Sequence, residues 1–508
     1  MTKKNLEEEI IKKPNAFERL NKNIFCEERA RKLHKNKYTV VYTNTEIFKE
    51  LGYTNVTEEK IGEAFAYVLD KTGKDSIYSD RQSDQTDIAL SGNLGSGRAG
   101  YKGSEFNIKG INRTSLATNP PNSLHGTGTL DLVTALREAI LSNYIYKNTK
   151  TKTSPVVAVI ARNDMTTYCW NETPLRNALL VRVDDGYLDR VSHLAHSSLE
   201  RKINFEKILK TYAQFDAELF SHRILHGAWS IGNASLDGNW LDMESVSFTK
   251  GRGAQCNITK KFISNYFGYE QFGAVQILMQ LANLLEKNEK EQCGQKKITQ
   301  EKLMQRFTFQ RNKIMQRELA RLLGLQNKQF LKEHLPSEEL TVEWESLAKK
   351  MSCQSADLNV FSSNNSETHL LDFSKLFRIL PELYKNKISI EEMYKQFIRE
   401  EELAHCNELY NPTNKAEEYL YKNAMVENKK NFTMQTKQFL HILQKYLAYL
   451  TAEKILPKKE EWEENCITAN KELPSFLELT KKIQIKVTDF ENNQLSNERL
   501  NEWMHTLL

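Results

Sequence analysis

The sequence predicts a mixed α+β protein whose β-structure is confined to the first half and whose second half is helical. Short runs rich in β-branched and aromatic residues, Tyr38 to Tyr42, Glu105 to Lys109 and Pro155 to Ala161, read as strands, and Ala178 to Val183 adds another. Between them, Thr129 to Tyr146 places Val133, Leu136, Ile140 and Tyr144 on one side of a helix. From Gln271 onward the apolar residues recur at the helical period. In Phe439, Ile442, Leu443, Tyr446, Leu447 and Leu450 they form one stripe suited to core packing.

These textures divide the 508 residues into an N-terminal extension (1–37), a β-rich unit (38–174), a second unit that begins with a strand and continues in helices (175–290), and a helical region (291–508). A linker-like polar run, Glu286 to Lys297, precedes the last of these. The 71 basic and 66 acidic residues leave a net charge of +5, spread along the chain, so nucleic acid is not expected as an obligatory partner, and the longest apolar run, Pro155 to Ala161, is too short to cross a bilayer, so no membrane partner is expected. The seven cysteines, Cys26, Cys169, Cys256, Cys293, Cys353, Cys406 and Cys466, form no CxxC pair, so neither a disulfide framework nor a zinc site is expected. The charged start, Met1 to Lys13, has no apolar core of the kind a signal peptide needs, and a cytoplasmic location is expected.

The residues suited to chemistry fall in a definite order. Gly95-Ser96-Gly97-Arg98-Ala99-Gly100 is a GxGxxG segment, in which missing side chains let backbone N–H groups approach phosphate oxygens. By itself it is as well read as a flexible turn. Phe106 to Lys109 is a short strand ending in a lysine that can reach back toward such phosphates. Glu138 lies off the apolar stripe of its helix, beside Thr134 and Ala135, where it can pair with Lys109 or face solvent.

His226-Gly227-Ala228-Trp229-Ser230-Ile231-Gly232-Asn233, followed by Asp242, has the spacing of a protein-kinase catalytic loop and its metal-binding aspartate. An Asn oxygen and an Asp carboxylate are hard donors of the kind magnesium prefers. The kinase catalytic base is absent, since its position holds Ala228. The order of these four elements predicts an α+β, protein-kinase-like bilobal fold, with an additional helical region C-terminal to it.

The same residues resemble the selenoprotein O family of pseudokinase protein adenylyltransferases. The resemblance rests on Leu94 to Ala99, Ile108-Lys109-Gly110 with Arg113-Thr114, Ala135-Leu136-Arg137-Glu138 and Val181-Arg182-Val183. It continues through His226-Gly227, Asn233, Leu236, Gly238 and Asp242, and Asn44 to Gly52 resembles the family's N-terminal region. It implies ATP bound in inverted orientation, with AMP transferred to a Ser, Thr or Tyr hydroxyl of a protein or peptide.

By resemblance Lys109 and Glu138 form the ion pair, Asn233 and Asp242 hold magnesium, with manganese as an alternative, and Arg182 and Arg190 contact the buried phosphate, with Gly95, Ser96, Gly97 and Arg98 in the ATP-binding loop. The segment between the two arginines is one residue longer than in the family. Gly232 stands where the family has an aspartate, and Met243 and Glu244 replace the tyrosine and glycine that follow its metal-binding aspartate. With no carboxylate at 232, Asp237 is an alternative base. Two other readings stay open: another transferase on the same fold, moving the γ-phosphoryl group or modifying a peptide, and an inert ATP-binding scaffold.

Overall fold

The computed structural model describes residues 4–81, 97–117, 126–168, 171–196, 203–226, 230–248, 270–288, 299–325, 333–350, 352–354, 367–369, 373–397, 429–471 and 476–507. Its β-structure is dominated by one eight-stranded antiparallel sheet built from β1 (Phe25–Lys32), β2 (Tyr38–Thr43), β3 (Tyr67–Leu69), β4 (Asp75–Asp80), β5 (Ala99–Lys102), β6 (Phe106–Lys109), β7 (Val156–Tyr168) and β8 (Asn171–Val183). The spatial order is β2-β7-β8-β6-β5-β4-β1-β3.

Helices before and within this sheet are the short α1 (Leu6–Glu9), α2 (Ala16–Arg19), α3 (Thr45–Glu50) and α4 (Glu58–Phe65), then the long α5 (Leu132–Asn148). After it come α6 (Phe205–Ser221), α7 (Gln271–Asn288), α8 (Gln300–Leu322), α9 (Glu338–Lys350), α10 (Phe373–Lys385), α11 (Ile390–Phe397), α12 (Lys429–Ala452), α13 (Lys459–Ala469), α14 (Phe476–Glu491) and α15 (Asn497–Thr506). The chain is therefore a mixed α+β protein with an antiparallel sheet in its N-terminal half and a mainly helical C-terminal half, where the expectation of helices alone is corrected by one short antiparallel pair, Ser352–Gln354 with Glu367–His369.

The sheet buries both faces at its centre, which is why β7 begins with the unbroken run Val156-Val157-Ala158-Val159-Ile160-Ala161 rather than an alternation. One face packs Ile160, Leu179, Val181, Phe106 and Ile108 against Phe48 of α3 and Phe65 of α4. The other face packs Val159, Ala161 and Leu180 against Leu132, Leu136 and Ile140 of α5. Side chains alternate along a strand, so with Phe106 and Ile108 committed to the first face, Asn107 and Lys109 turn to the second. Arg182, paired in register with Asn107, turns the same way, and its Nη2 donates to Asn107 Oδ1 at 2.8 Å. The period-two pattern thus delivers a lysine and an arginine, both buried, to the α5 side.

Two predicted boundaries move. The break at 174/175 falls inside β8, so the second and third predicted units share one long hairpin; likewise β1, within the predicted 1–37 extension, is a strand of the main sheet. Both were hidden by polarity: Phe25 to Lys32 buries only Ala30, and the outer half of the β7–β8 hairpin is largely exposed.

The helical half has its own core, in which Phe220, Leu319, Trp344, Phe377, Leu443 and Leu447 meet. The stripe on α12 packs there, with Phe439, Leu443, Leu447 and Leu450 fully buried. Arg311 of α8 joins Asp216 of α6 to Glu345 of α9 in a buried ion-pair network. The last two helices do not belong to that core. They return to the sheet, where Leu479, Ile483, Val487, Leu500 and Met504 enter the cluster that contains α5. No helix among the described residues is long and apolar enough to cross a membrane.

Candidate functional site

The site begins with α5. Asp131 caps it by accepting a hydrogen bond from Thr134 N at 2.9 Å, and the helix is buried on nearly every side between sheet and helices. Glu138 therefore has no route to solvent. Its carboxylate accepts from Lys109 Nζ at 2.8 Å, with side-chain exposures of 1% and 4%, and lies 3.5 Å from Arg182 Nη1.

The polar loop after β8 and α6 supplies the opposite wall. Asn233 and Asp242 are brought together by a tight hairpin. Leu241 N donates to Asn233 O at 2.9 Å, Ser235 N to Asn239 O at 2.8 Å, and Ala234 bridges Trp240. The turn depends on Gly238, whose φ of +91° and close approach to α6 exclude a side chain: a Cβ there would lie 2.5 Å from Thr211 Cβ. Asp242 itself adopts a left-handed conformation, φ +63° and ψ +60°, which costs a non-glycine residue energy and persists only where neighbours hold it.

His226 is one such neighbour. It is fully buried, its Nε2 donates to Leu241 O at 2.8 Å, and its backbone N donates to Glu270 Oε1 at 2.9 Å. Burial lowers its pKa to about 4, so near neutral pH it is an uncharged strut.

Asp242 faces Lys109, with which it forms an ion pair, and lies 3.9 Å from Arg182 Nη1. Burial alone would raise its pKa; the charges of Lys109, Arg182, Arg190 and Arg98 overcome this and hold the carboxyl well below its ordinary range. For Lys109 burial works toward the neutral amine, and Asp242, Glu138 and Glu244 outweigh it, so its pKa is raised. Arg190 donates to the carbonyl of Gly232 and lies 3.4 Å from Asn233 Oδ1. Its backbone N donates to His193 Nδ1 at 3.0 Å, leaving Nε2 of that buried histidine to donate to Asp80 Oδ2 at 2.8 Å.

One member of the site was not foreseen. Glu244, noted in the sequence only as a departure from a family glycine, accepts two hydrogen bonds from Arg98 Nη2, at 2.7 and 2.8 Å, and one from Lys109 Nζ at 3.0 Å. Carboxylate oxygens of Glu138, Asp242 and Glu244 all lie within 4.8 Å of one another. The available signal was the acidic pair Asp242-Met243-Glu244 spaced to flank a single cation. Arg98 approaches from the glycine-rich segment and is itself buried.

The structure therefore brings together Arg98, Lys109, Glu138, Arg182, Arg190, Asn233 and Asp242, together with Glu244. Gly97 adjoins the site through Arg98, and its carbonyl accepts from Thr114 N at 3.3 Å. Gly95, Ser96 and Ala228 lie outside the described residues, and Asp237 sits at the far turn of the hairpin, where its carboxylate lies beside Gly186. No protein-family model matches the sequence, and a search of curated proteins found no match.

The arrangement has a simple electrostatic meaning. Four cationic side chains, Arg98, Lys109, Arg182 and Arg190, surround three carboxylates, Glu138, Asp242 and Glu244. Hard oxygen donors suited to a small divalent cation thus sit against guanidinium and ammonium groups suited to an oxyanion.

Proposed function

We propose that this chain is a magnesium- and ATP-dependent nucleotidyltransferase of protein-kinase-like bilobal architecture, which moves AMP onto a Ser, Thr or Tyr hydroxyl of a protein or peptide. The observation that carries the reading is the convergence of Lys109, Glu138 and Asp242, from β6, α5 and the polar loop, with Asn233 held beside Asp242 by the hairpin. Asn233, Asp242 and the carboxylates beside them fit magnesium, which would neutralise phosphate charge there.

The direction of transfer is taken from the resemblance, in which ATP lies inverted with its terminal phosphate against Arg182 and Arg190. Arg182 and Arg190 are both more than nine-tenths buried. A terminal phosphate drawn to them sits deep, which leaves the α-phosphate as the phosphorus open to an incoming hydroxyl. In that step the acceptor oxygen bonds to the α-phosphorus, the bond to the bridging oxygen breaks, and pyrophosphate leaves while the acceptor gives up its proton to solvent water. With glycine at 232, positioning and charge neutralisation supply most of the acceleration.

The test is incubation of the purified chain and a cell lysate with ATP labelled at either the α- or the γ-phosphate. Label is expected in protein from the α-position only, with a mass gain equal to AMP, and is lost in Lys109→Ala and Asp242→Ala. Incorporation from the γ-position instead would replace the proposal with phosphoryl transfer.

A further inference from the structure

The strained residue at the centre of the site is clamped on both sides. On one side His226 holds the carbonyl of Leu241. On the other, Arg137 Nη2 donates to the carbonyl of Glu244 at 2.9 Å. Arg137 neighbours Glu138 on α5, yet it serves a different partner: its Nη1 donates to Thr480 Oγ1 of α14 at 3.3 Å, and the residue is only 3% exposed.

The C-terminal helices are fixed to the sheet independently of that bond. Asn501 Oδ1 accepts from Thr43 N at 3.0 Å, His505 Nε2 donates to Thr43 O at 3.0 Å, and the Arg176 guanidinium lies 5.2 Å from the Phe490 ring centre. Leu479, Ile483 and Val487 pack into the core that contains Leu132, Leu136 and Ile140 of α5. Helix α14 is thereby a rigid backing for α5, and one buried guanidinium spans from it to the segment that presents Asp242 and Glu244.

We propose that Arg137 is a positioning residue through which helix α14 sets the conformation of the Asp242–Glu244 segment, which makes the last helices of the chain a working part of the metal–nucleotide site. A buried guanidinium bonded to a carbonyl is charge-assisted, and losing it removes that bond from the carbonyl. The left-handed Asp242 would then lose the clamp on its C-terminal side. The proposal rests on the reading of this site as one for magnesium and ATP, and its test separates the two.

The experiment uses the full chain with Arg137→Met, which keeps apolar length without charge, Thr480→Val, which is nearly isosteric and lacks the hydroxyl, and Thr480→Ser, which restores it. Circular dichroism and thermal unfolding establish that each variant is folded. Calorimetry with ATP at varied magnesium is expected to show the magnesium concentration for half-maximal ATP binding raised about tenfold in Arg137→Met, the equivalent of one charge-assisted hydrogen bond. Thr480→Val shifts it in the same direction by less, and Thr480→Ser matches wild type. ATP affinity without magnesium changes less than about twofold, which a general loss of structure would not reproduce.

Unchanged magnesium dependence in folded Arg137→Met, or an equal loss of ATP affinity with and without magnesium, overturns the positioning role. If wild type itself binds no ATP, the site reading fails and the clamp is judged by amide hydrogen exchange. Residues 241–246 are then expected to exchange faster in Arg137→Met and Thr480→Val while 138–145 stay as protected as in wild type, and equal protection at 241–246 sinks the proposal.

Discussion

Replacing Lys109 by methionine removes one cation from three carboxylates while keeping most of the side-chain volume. In the intact site its Nζ lies 2.8 Å from Glu138 Oε2 and 3.0 Å from Glu244 Oε2 and is paired with Asp242. Truncating one partner of a buried ion pair costs about 3–5 kcal/mol because the other charge stays buried. Here Arg98 still holds Glu244, and Arg182 still lies 3.5 Å from Glu138, so the expected loss is at the lower end, about 3 kcal/mol at pH 8. The pH dependence follows from Asp242. Its depressed pKa contributes stability that is present above its unfolded-state value and lost as pH falls through its folded-state value. Without Lys109 the folded-state pKa rises, so stability is lost at pH 8, whereas near pH 3 the carboxyl is largely protonated in the unfolded chain and less is at stake. Urea denaturation of both proteins at several pH values is the assay, with the difference expected to be greatest at pH 8 and to shrink toward acid. A loss below about 1 kcal/mol at pH 8, or one that is the same at every pH, would refute the description of Lys109 as the counterion of this cluster.

Asp80→Ala leaves the buried Nε2 donor of His193 without its carboxylate and loosens the anchor of Arg190; a loss of about 1–3 kcal/mol is expected in thermal unfolding, and a change within error would show that the pair carries no weight. Asp184, fully buried beside Asp189, has its pKa pushed up to about 6 by burial, against the pull of Arg19. A raised folded-state value contributes stability that is complete below the unfolded-state pKa and lost as pH rises through 6. The stability of wild type relative to Asp184→Asn is therefore expected to fall by about 2 kcal/mol between pH 4 and pH 7, measured by denaturant unfolding across that window. His226, with its pKa lowered to about 4, is expected to show no titration of its ring resonances between pH 6 and pH 9, and a titration midpoint near 6.5 would contradict its role as a buried strut.

The parts of the site whose secondary-structure elements are legible in the sequence are those that local spacing specifies. The strand that carries Lys109 is marked by Phe106 and Ile108, and the helix that carries Glu138 by its apolar period, so each could be assigned an element and a side. The distance from Asn233 to Asp242 holds a hairpin closed at Gly238, and the chemistry of its two ends is visible without knowledge of the turn.

What was not legible depended on contacts remote in sequence. Glu244 stands in the sequence only as a departure from a family glycine, because its partners, Arg98 and Lys109, are 146 and 135 residues away. Arg137 enters the sequence reading only within the segment Ala135 to Glu138 and without a role, since its partner Thr480 is 343 positions distant. The outer half of the β7–β8 hairpin and strand β1 lack the apolar alternation that marks a half-buried strand, because little of either is buried. Backbone pairing with neighbouring strands sets their conformation instead.

The proposed function requires Asn233 and Asp242 to hold a divalent cation against a triphosphate reached by Lys109. Crystals grown with manganese and a non-hydrolysable ATP analogue, with data collected at an energy where manganese scatters anomalously, test it directly. An anomalous peak bound by Asn233 Oδ1 and the Asp242 carboxylate is expected, with Lys109 Nζ on a phosphate oxygen. A nucleotide bound elsewhere, or manganese absent from those two side chains, would contradict it.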